Sequence, residues 1–278
     1  MDIIKETAEK IREADALLIG ASNGLSITEG LHLFADNQAF EDLFRDLKRK
    51  YGLTCILHGM GAKWPSEEEK WGFWSRLVRH YCKEYRETQV MADLKTVIGG
   101  KDCFVVTSNG ECHFEMCGFS PEKIYEIEGN WLTMQCASRC HDSVYPWGDL
   151  AEKMAEMERG GKIPADLVPR CPVCGGPVQV HMAMDGNFIP DTESKKRLDS
   201  FLEQYHEKKL LILELGIGWR NQLIKAPLMR LAEREPQAFY VTVNLGEIFI
   251  PQEISGKSCG LDGDLGEILH RVATDCGN

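Results

Sequence analysis

The sequence contains no apolar run near the roughly 18 residues that a membrane-spanning helix requires. It also lacks an excess of positive charge. Its 32 Lys and Arg stand against 43 Asp and Glu, leaving a net charge of -11. An acidic balance works against non-specific nucleic-acid binding and against docking on anionic lipid, because both need cations at the contact. A local basic pocket for a phosphorylated ligand remains open. There is no internal repeat and no low-complexity segment. No secretory leader is expected either: residues 1–15 mix Lys, Glu, Arg and Asp, with Ile4, Ala8 and Ile11 on one helical face. The expectation is a cytoplasmic protein with no nucleic-acid or membrane partner.

The 278 residues suffice for one large domain, or for a main domain with a smaller lobe. Five short apolar runs read as buried strands: 16–19, 103–107, 124–127, 210–215 and 239–243. Helical patterns lie between them, at Leu223–Leu231 and at Leu265, Ile268, Leu269 and Val272. The alternation predicts a doubly wound α/β sheet. Two regions break the rhythm. Residues 29–95 carry no good strand, and Phe40, Leu43, Phe44 and Leu47, like Trp74, Leu77, Val78 and Tyr81, show helical spacing. They read as a helical insertion whose aromatic stripes are core. Residues 132–190 hold clustered cysteines, many turn formers and little periodicity, and read as a small metal-stapled lobe.

Eleven cysteines are many for this length, and in a reducing compartment clustering points to metal more than to disulfides. Cys136 and Cys140 are separated by three residues, and Cys171 and Cys174 by two, in Cys-Pro-Val-Cys-Gly-Gly. Two close pairs separated by a segment can supply four thiolates to one tetrahedral zinc. Four protein ligands leave no open position, so this zinc is expected to be structural. His141 adjoins Cys140 and is the alternative ligand.

Strand ends carry the other signals. The first strand runs into Gly20-Ala21-Ser22-Asn23-Gly24-Leu25-Ser26, a small-residue loop that lets backbone amides reach a pyrophosphate, or that simply makes a tight turn. It is not a Gly-x-Gly-x-x-Gly fingerprint. Thr107-Ser108-Asn109-Gly110-Glu111 follows another strand, Gly216-Ile217-Gly218 a third, and Asn244 a fourth. Parallel α/β sheets bind ligands at such carboxyl ends.

The order of these motifs resembles the sirtuin family: Gly20-Ala21-Ser22, then Thr107-Ser108-Asn109-Gly110-Glu111, then Glu128-Gly129, then two cysteine pairs, then Gly216 and Asn244. It is most similar to the class M sirtuins of microbes, at Gly24-Leu25-Ser26, at the Cys136–His141 and Cys171–Gly176 segments, and at Leu213–Gly218. Glu128 stands where sirtuin deacylases carry the His that acts as base and where class M members often carry Gln.

The resemblance implies a Rossmann-like parallel sheet with a small zinc-binding lobe and a helical insertion. The corresponding division is 1–28, 96–131 and 205–278 for the NAD-binding domain, 29–95 for the insertion and 132–190 for the lobe. The NAD-binding residues implied are Gly20, Ala21, Ser22, Gly24, Leu25, Ser26, Ser108, Asn109, Gly216, Gly218, Asn221 and Asn244. Asn109 is implied to position the ribose or a water. Glu111 is implied to hold the nicotinamide amide or nearby charge, and Glu128 to be the base or a ribose-hydroxyl partner.

Breaking the nicotinamide–ribose bond passes through a cationic sugar, which carboxylates stabilise. The activity implied is NAD-dependent protein mono-ADP-ribosyl transfer, with a lipoylated carrier similar to the glycine-cleavage H protein as acceptor. NAD glycohydrolysis, deacylation and a non-catalytic NAD or ADP-ribose sensor are the alternatives. His113 is expected to face the lobe or the sheet surface, Arg220 and Asn221 are candidates for the adenosine side, and Trp131 and Phe188 read as packing aromatics.

Overall fold

The structure, a computed structural model, describes residues 2–277. Short runs of Leu, Ile, Val and Phe, buried on both faces, make parallel strands. Four such runs, β1 (Ala16–Ala21), β2 (Asp102–Thr107), β7 (Leu210–Leu215) and β8 (Phe239–Asn244), make the centre of the main sheet, and β3 (Ile124–Glu126) and β9 (Ser258–Asp262) form its edges, in the spatial order β3-β2-β1-β7-β8-β9. The register sets Ile19 opposite Val105 on one side and Leu213 on the other. β1 and β7 therefore flank the topological switch point, where the chain turns outward in opposite directions. Their carboxyl ends open the crevice in which such sheets bind ligands.

Helices cover both faces. On one, α1 (Ile3–Glu13), α6 (Gln89–Ile98) and α11 (Leu265–Cys276) pack Ile11, Leu94 and Leu269 against Leu17, Val105, Leu213 and Val241. On the other, α9 (Thr192–Gln204) and α10 (Gln222–Arg234) pack Phe201, Ile224 and Leu228 against Leu18, Phe104, Ile212 and Tyr240. The spacing at 223–231 and 265–272 thus produced the two helices it predicted.

A second core lies beside the sheet. Helices α3 (Gln38–Tyr51), α4 (Ile56–Met60), α5 (Glu67–Val78) and α8 (Gly148–Met157) share it with a small antiparallel sheet, β5-β4-β6, made of β4 (Gly129–Cys136), β5 (Val144–Pro146) and β6 (Val178–Met182). Phe40, Phe44, Trp71, Phe73, Trp131 and Trp147 fill it. The aromatic stripes of the helical stretch are therefore core, and that stretch and the cysteine lobe are packed as one unit. Gly72 makes this possible: a Cβ there would come within 2.5 Å of the Gly161 carbonyl oxygen. Within residues 29–95, α6 departs from its neighbours and packs on the sheet.

Two features were not expected from sequence. β9 is an edge strand, Ser-Cys-Gly-Leu-Asp, with too few branched residues to stand out. The lobe's small sheet was hidden because β4 bulges between Gly129 and Met134 and loses its period of two.

One buried ion pair ties the second half of the sheet to its helix. Lys225 on α10 and Glu214 on β7 are both fully buried, and the ammonium donates to Glu214 Oε1. Thr242 Oγ1 donates to the same oxygen at 2.8 Å, and the Tyr240 hydroxyl donates to Oε2 at 2.5 Å. Removing one member of such a pair leaves an uncompensated charge in the core. Lys225→Met is expected to cost about 3–5 kcal/mol in urea unfolding, and the double change Glu214→Gln with Lys225→Met markedly less. A Lys225→Met loss under about 1 kcal/mol would show that the pair does not anchor α10.

Candidate active site and metal centre

β1 carries the chain to Ser22, whose extended backbone starts the six-residue helix α2 (Asn23–Thr28). Gly20 and Ala21, expected in a loop, are the last residues of the strand and are buried. A Cβ on Gly20 would run into Leu228 Cδ1 at 2.3 Å, so this glycine makes room for α10. Gly24 lies against Gly216. A Cβ on Gly24 would come within 2.4 Å of Gly216 Cα, and Gly24 N donates to Gly216 O at 3.0 Å. Gly216 itself has φ +61. These two glycines let the loops after β1 and β7 touch. Leu25 belongs to the sheet core.

Four of the expected residues converge over this contact. Asn221, immediately before α10, donates from Nδ2 to Ser22 Oγ at 3.0 Å and to Ser108 Oγ at 2.9 Å, and the two hydroxyls are 3.0 Å apart. Asn109 Nδ2 donates to Ser22 O at 3.2 Å, and its backbone N–H to Thr107 Oγ1 at 3.0 Å. Asn109 Oδ1 is buried and has no partner. Gly218 and Asn244 lie further out, in a loop pair joined by Glu247, which accepts from Trp219 N at 3.0 Å and whose carbonyl is 3.4 Å from Asn244 Nδ2.

Carboxylates line the β2–β3 side. Glu111 is buried and accepts from Ser26 Oγ at 2.6 Å. Burial raises its pKa, against the opposing pull of His113 and Ser26. Glu128 occupies the turn between β3 and β4, half-buried, with its pKa raised by burial. Glu126, at the end of β3, is pushed up to about 8 by burial and by Glu115 and Glu111.

His113, on the four-residue helix α7 (His113–Met116), does not face the lobe or the sheet surface. It is buried, with Nδ1 3.0 Å from Glu29 Oε2 and Nε2 2.8 Å from Tyr81 O. Both ring nitrogens face acceptors, so the imidazolium suits the site. Burial works against that charge, yet Glu29 and Glu111 carry the pKa above its ordinary value. The Tyr81 carbonyl lies in a π-helical turn, Arg79–Lys83, that continues α5.

The four cysteines meet at the edge of the second core. Their sulfurs all lie within 4.8 Å of one another, with Cys136 to Cys174 at 3.8 Å and Cys140 to Cys171 at 3.6 Å. Sulfurs about 2.3 Å from a tetrahedral zinc stand about 3.8 Å apart, so the set fits that ion. Backbone N–H groups of Cys140 and Ser138 favour the Cys136 thiolate, and those of Cys174 and Val173 favour the Cys171 thiolate. His141 stands outside the set, with Nδ1 3.0 Å from Cys140 Sγ and Nε2 2.6 Å from the Tyr145 hydroxyl.

The fold can now be compared with known ones. A solved sirtuin structure, concerned with sirtuin substrate affinity, aligns over 99% of this chain and 98% of its own with a TM-score of 0.56 and 19% identity. The chain has a sirtuin fold. In sequence it is 29% identical, over 97% of its length, to a protein ADP-ribosyltransferase of Staphylococcus aureus, covering 88% of that protein. It is 28% identical over 94% of its length to a "Probable bifunctional ADP-ribose hydrolase/ADP-ribosyltransferase" of Fusarium oxysporum f. sp. cubense, and spans about half (46%) of that chain. No family model matches. Fold and relatives together are consistent with a sirtuin-family protein.

Against that fold, sequence reasoning had overlooked Glu126, its partner Asn130, and the Glu29–His113 pair. The only signal for Glu126 was its two-residue spacing from Glu128, which reads equally well as a solvated strand face. The cysteine centre yields a direct expectation. Purified protein should contain about one zinc per chain, and a chelator or Cys171→Ser should lower the melting temperature by several degrees. Metal-free protein with an unchanged melting temperature would remove the zinc reading.

Proposed function

We propose that this chain is an NAD-dependent protein mono-ADP-ribosyltransferase that releases nicotinamide and holds a structural zinc. Two relatives named as ADP-ribosyltransferases, matched over nearly the whole chain, support the enzyme class. The structural observation that carries the site is Asn109 Oδ1. A buried amide oxygen without a partner is costly, and here it sits at the switch-point crevice beside three polar side chains that are already paired. A ribose hydroxyl or a water bound there would satisfy it, which is how the residues present fit NAD.

Bound NAD supplies a ribose already attached to a good leaving group. The chain's own residues do the rest. Ser22, Ser108 and Asn221 form a polar floor on which ribose and phosphate oxygens can rest. Asn109 fixes the ribose, and Glu111 faces the nicotinamide amide or the charge beside it. With its pKa raised, Glu111 can offer a carboxyl proton to an amide oxygen as well as accept from an amide N–H. Glu128 is the ribose-hydroxyl partner or the base. The acceptor we propose is a protein, of the lipoylated carrier kind that the class M resemblance implies. We place the protein in the cytoplasm, in keeping with its eleven free cysteines. No described helix is long and apolar enough to cross a membrane.

The test incubates the chain with NAD labelled in the adenosine half, a lysate and a purified lipoylated carrier. Nicotinamide release together with label on protein is expected, and Asn109→Ala should slow release by about 100-fold. Label appearing only in free ADP-ribose would make the protein a hydrolase. Unconsumed NAD would remove the enzymatic reading altogether.

A further inference from the structure

Glu126 lies level with Thr107 across the β2–β3 ladder, and Ile127 N continues that ladder to Thr107 O at 2.9 Å. It therefore stands one strand away from Ser108 and Asn109. Its carboxylate is held by a chain of side chains. Asn130 Nδ2 donates to Glu126 Oε2 at 2.5 Å. The orientation of the Asn130 amide is fixed from behind, because Oδ1 accepts from Leu132 N at 3.0 Å and from Thr133 Oγ1 at 2.9 Å. Thr133 Oγ1 in turn lies 3.3 Å from His181 Nδ1, and His181 Nε2 lies 2.7 Å from Ile189 O. A carbonyl partner requires a proton on Nε2, so in the neutral ring the Nδ1 lone pair shares the single Thr133 hydroxyl proton with Asn130 Oδ1, which Leu132 N holds in either case. Burial of His181 lowers its pKa and favours that neutral form. Every member from His181 to Asn130 is then uncharged.

The other groups that face Glu126 are Glu111, Glu115 on α7, and the thiols of Cys112 and Cys82. None is a cation. The carboxylate is thus rigidly hydrogen-bonded yet uncompensated in charge, as a proton acceptor working near neutrality requires. Glu111 differs, being committed to Ser26 and neighboured by His113. Glu128 differs as well, with burial as its sole perturbation.

We propose that Glu126, rather than Glu128, takes the proton of the acceptor nucleophile, with Asn130 as the positioning residue that holds it. The proposal rests on the reading of this crevice as one that cleaves the nicotinamide–ribose bond. In the step, the acceptor's bond to hydrogen breaks and its proton passes to Glu126. The acceptor atom bonds to the ribose C1′. The C1′–nitrogen bond breaks, and its electron pair leaves with nicotinamide, discharging the pyridinium.

The sign of the pH dependence follows from the ionisation. Glu126 is moved from 4.5 to about 8, so the base is in its working form only above that range. Activity should rise with pH through it. Stability should run the other way. Between the unfolded and folded values the native state binds the extra proton, so stability falls as pH rises. Gln cannot ionise. Glu126→Gln should therefore match the parent in stability near about pH 5 and exceed it near about pH 9.

The experiment measures nicotinamide release from NAD, with acceptor lysate present, from about pH 5 to about pH 10 for the full chain and for Glu126→Gln, Glu128→Gln and Asn130→Ala, alongside their melting temperatures. The expected result is a limb rising near pH 8 in the parent. Glu126→Gln should lose that limb together with about 100- to 10,000-fold in rate. Glu128→Gln should keep the limb. Asn130→Ala should shift it upward, since its N–H favours the ionised carboxylate. A limb that survives in Glu126→Gln, or vanishes in Glu128→Gln, overturns the proposal. A parent that releases no nicotinamide at any pH overturns the enzymatic reading first and the Glu126 role with it, an outcome distinct from the other two.

Discussion

Two backbones in contact at the top of the sheet govern what lies above them. Gly24 and Gly216 touch at the switch point between β1 and β7, and neither tolerates a Cβ without pushing the two loops apart. Because they touch, Ser22 from one loop, Asn221 from the other and Ser108 from the segment after β2 fall within a single set of hydrogen bonds. The Glu214–Lys225 pair holds the same corner from below, fixing α10 to β7 a few residues from Gly216 and Asn221. The polar floor of the crevice is therefore set by tertiary packing before any ligand arrives.

Above that floor, similar carboxyl groups meet unlike surroundings. Glu111 is buried against a hydroxyl and neighboured by a histidine whose partners favour its charged form, whereas Glu126 has an amide, thiols and other carboxyls around it. Environments that separate titration ranges allow chemically identical side chains to take different roles. The arrangement has a stability cost, because ionising Glu126 works against folding. Groups under such strain persist where function retains them. The second core contributes at a distance. Trp131 N donates to Gly110 O at 2.8 Å, coupling the lobe's buried aromatics to the backbone between Asn109 and Glu111. The four cysteine sulfurs, placed close enough together to fit a zinc ion, belong to the same lobe.

How much of this could be read from the chain follows from the physics of each element. The central strands were legible because burial on both faces demands unbroken apolar runs, and the amphipathic helices because one face must match the sheet. The cysteine centre was legible because ligand spacing is local in sequence. The edge strand β9 was not, since one-sided pairing needs little apolar signal. Glu214 was invisible as an ion-pair member, because its partner lies 11 residues on and its run is otherwise apolar. Gly20, Gly24 and Gly216 looked like a phosphate cradle. Gly20 relieves crowding under α10, and the other two relieve crowding between loops, packing roles that only tertiary contacts reveal. The relay from Glu126 to His181 spans 55 residues (126 to 181) and two sheets, so no local pattern marks it.

The most direct measurement is a structure of the chain with NAD bound. The account predicts the nicotinamide ribose in the crevice between β1, β2 and β7, with Asn109 Oδ1 gaining a hydroxyl or water partner and with Glu111 and Glu126 facing the ribose C1′. A dinucleotide bound elsewhere, or one that leaves Asn109 Oδ1 buried and unpaired, would contradict it.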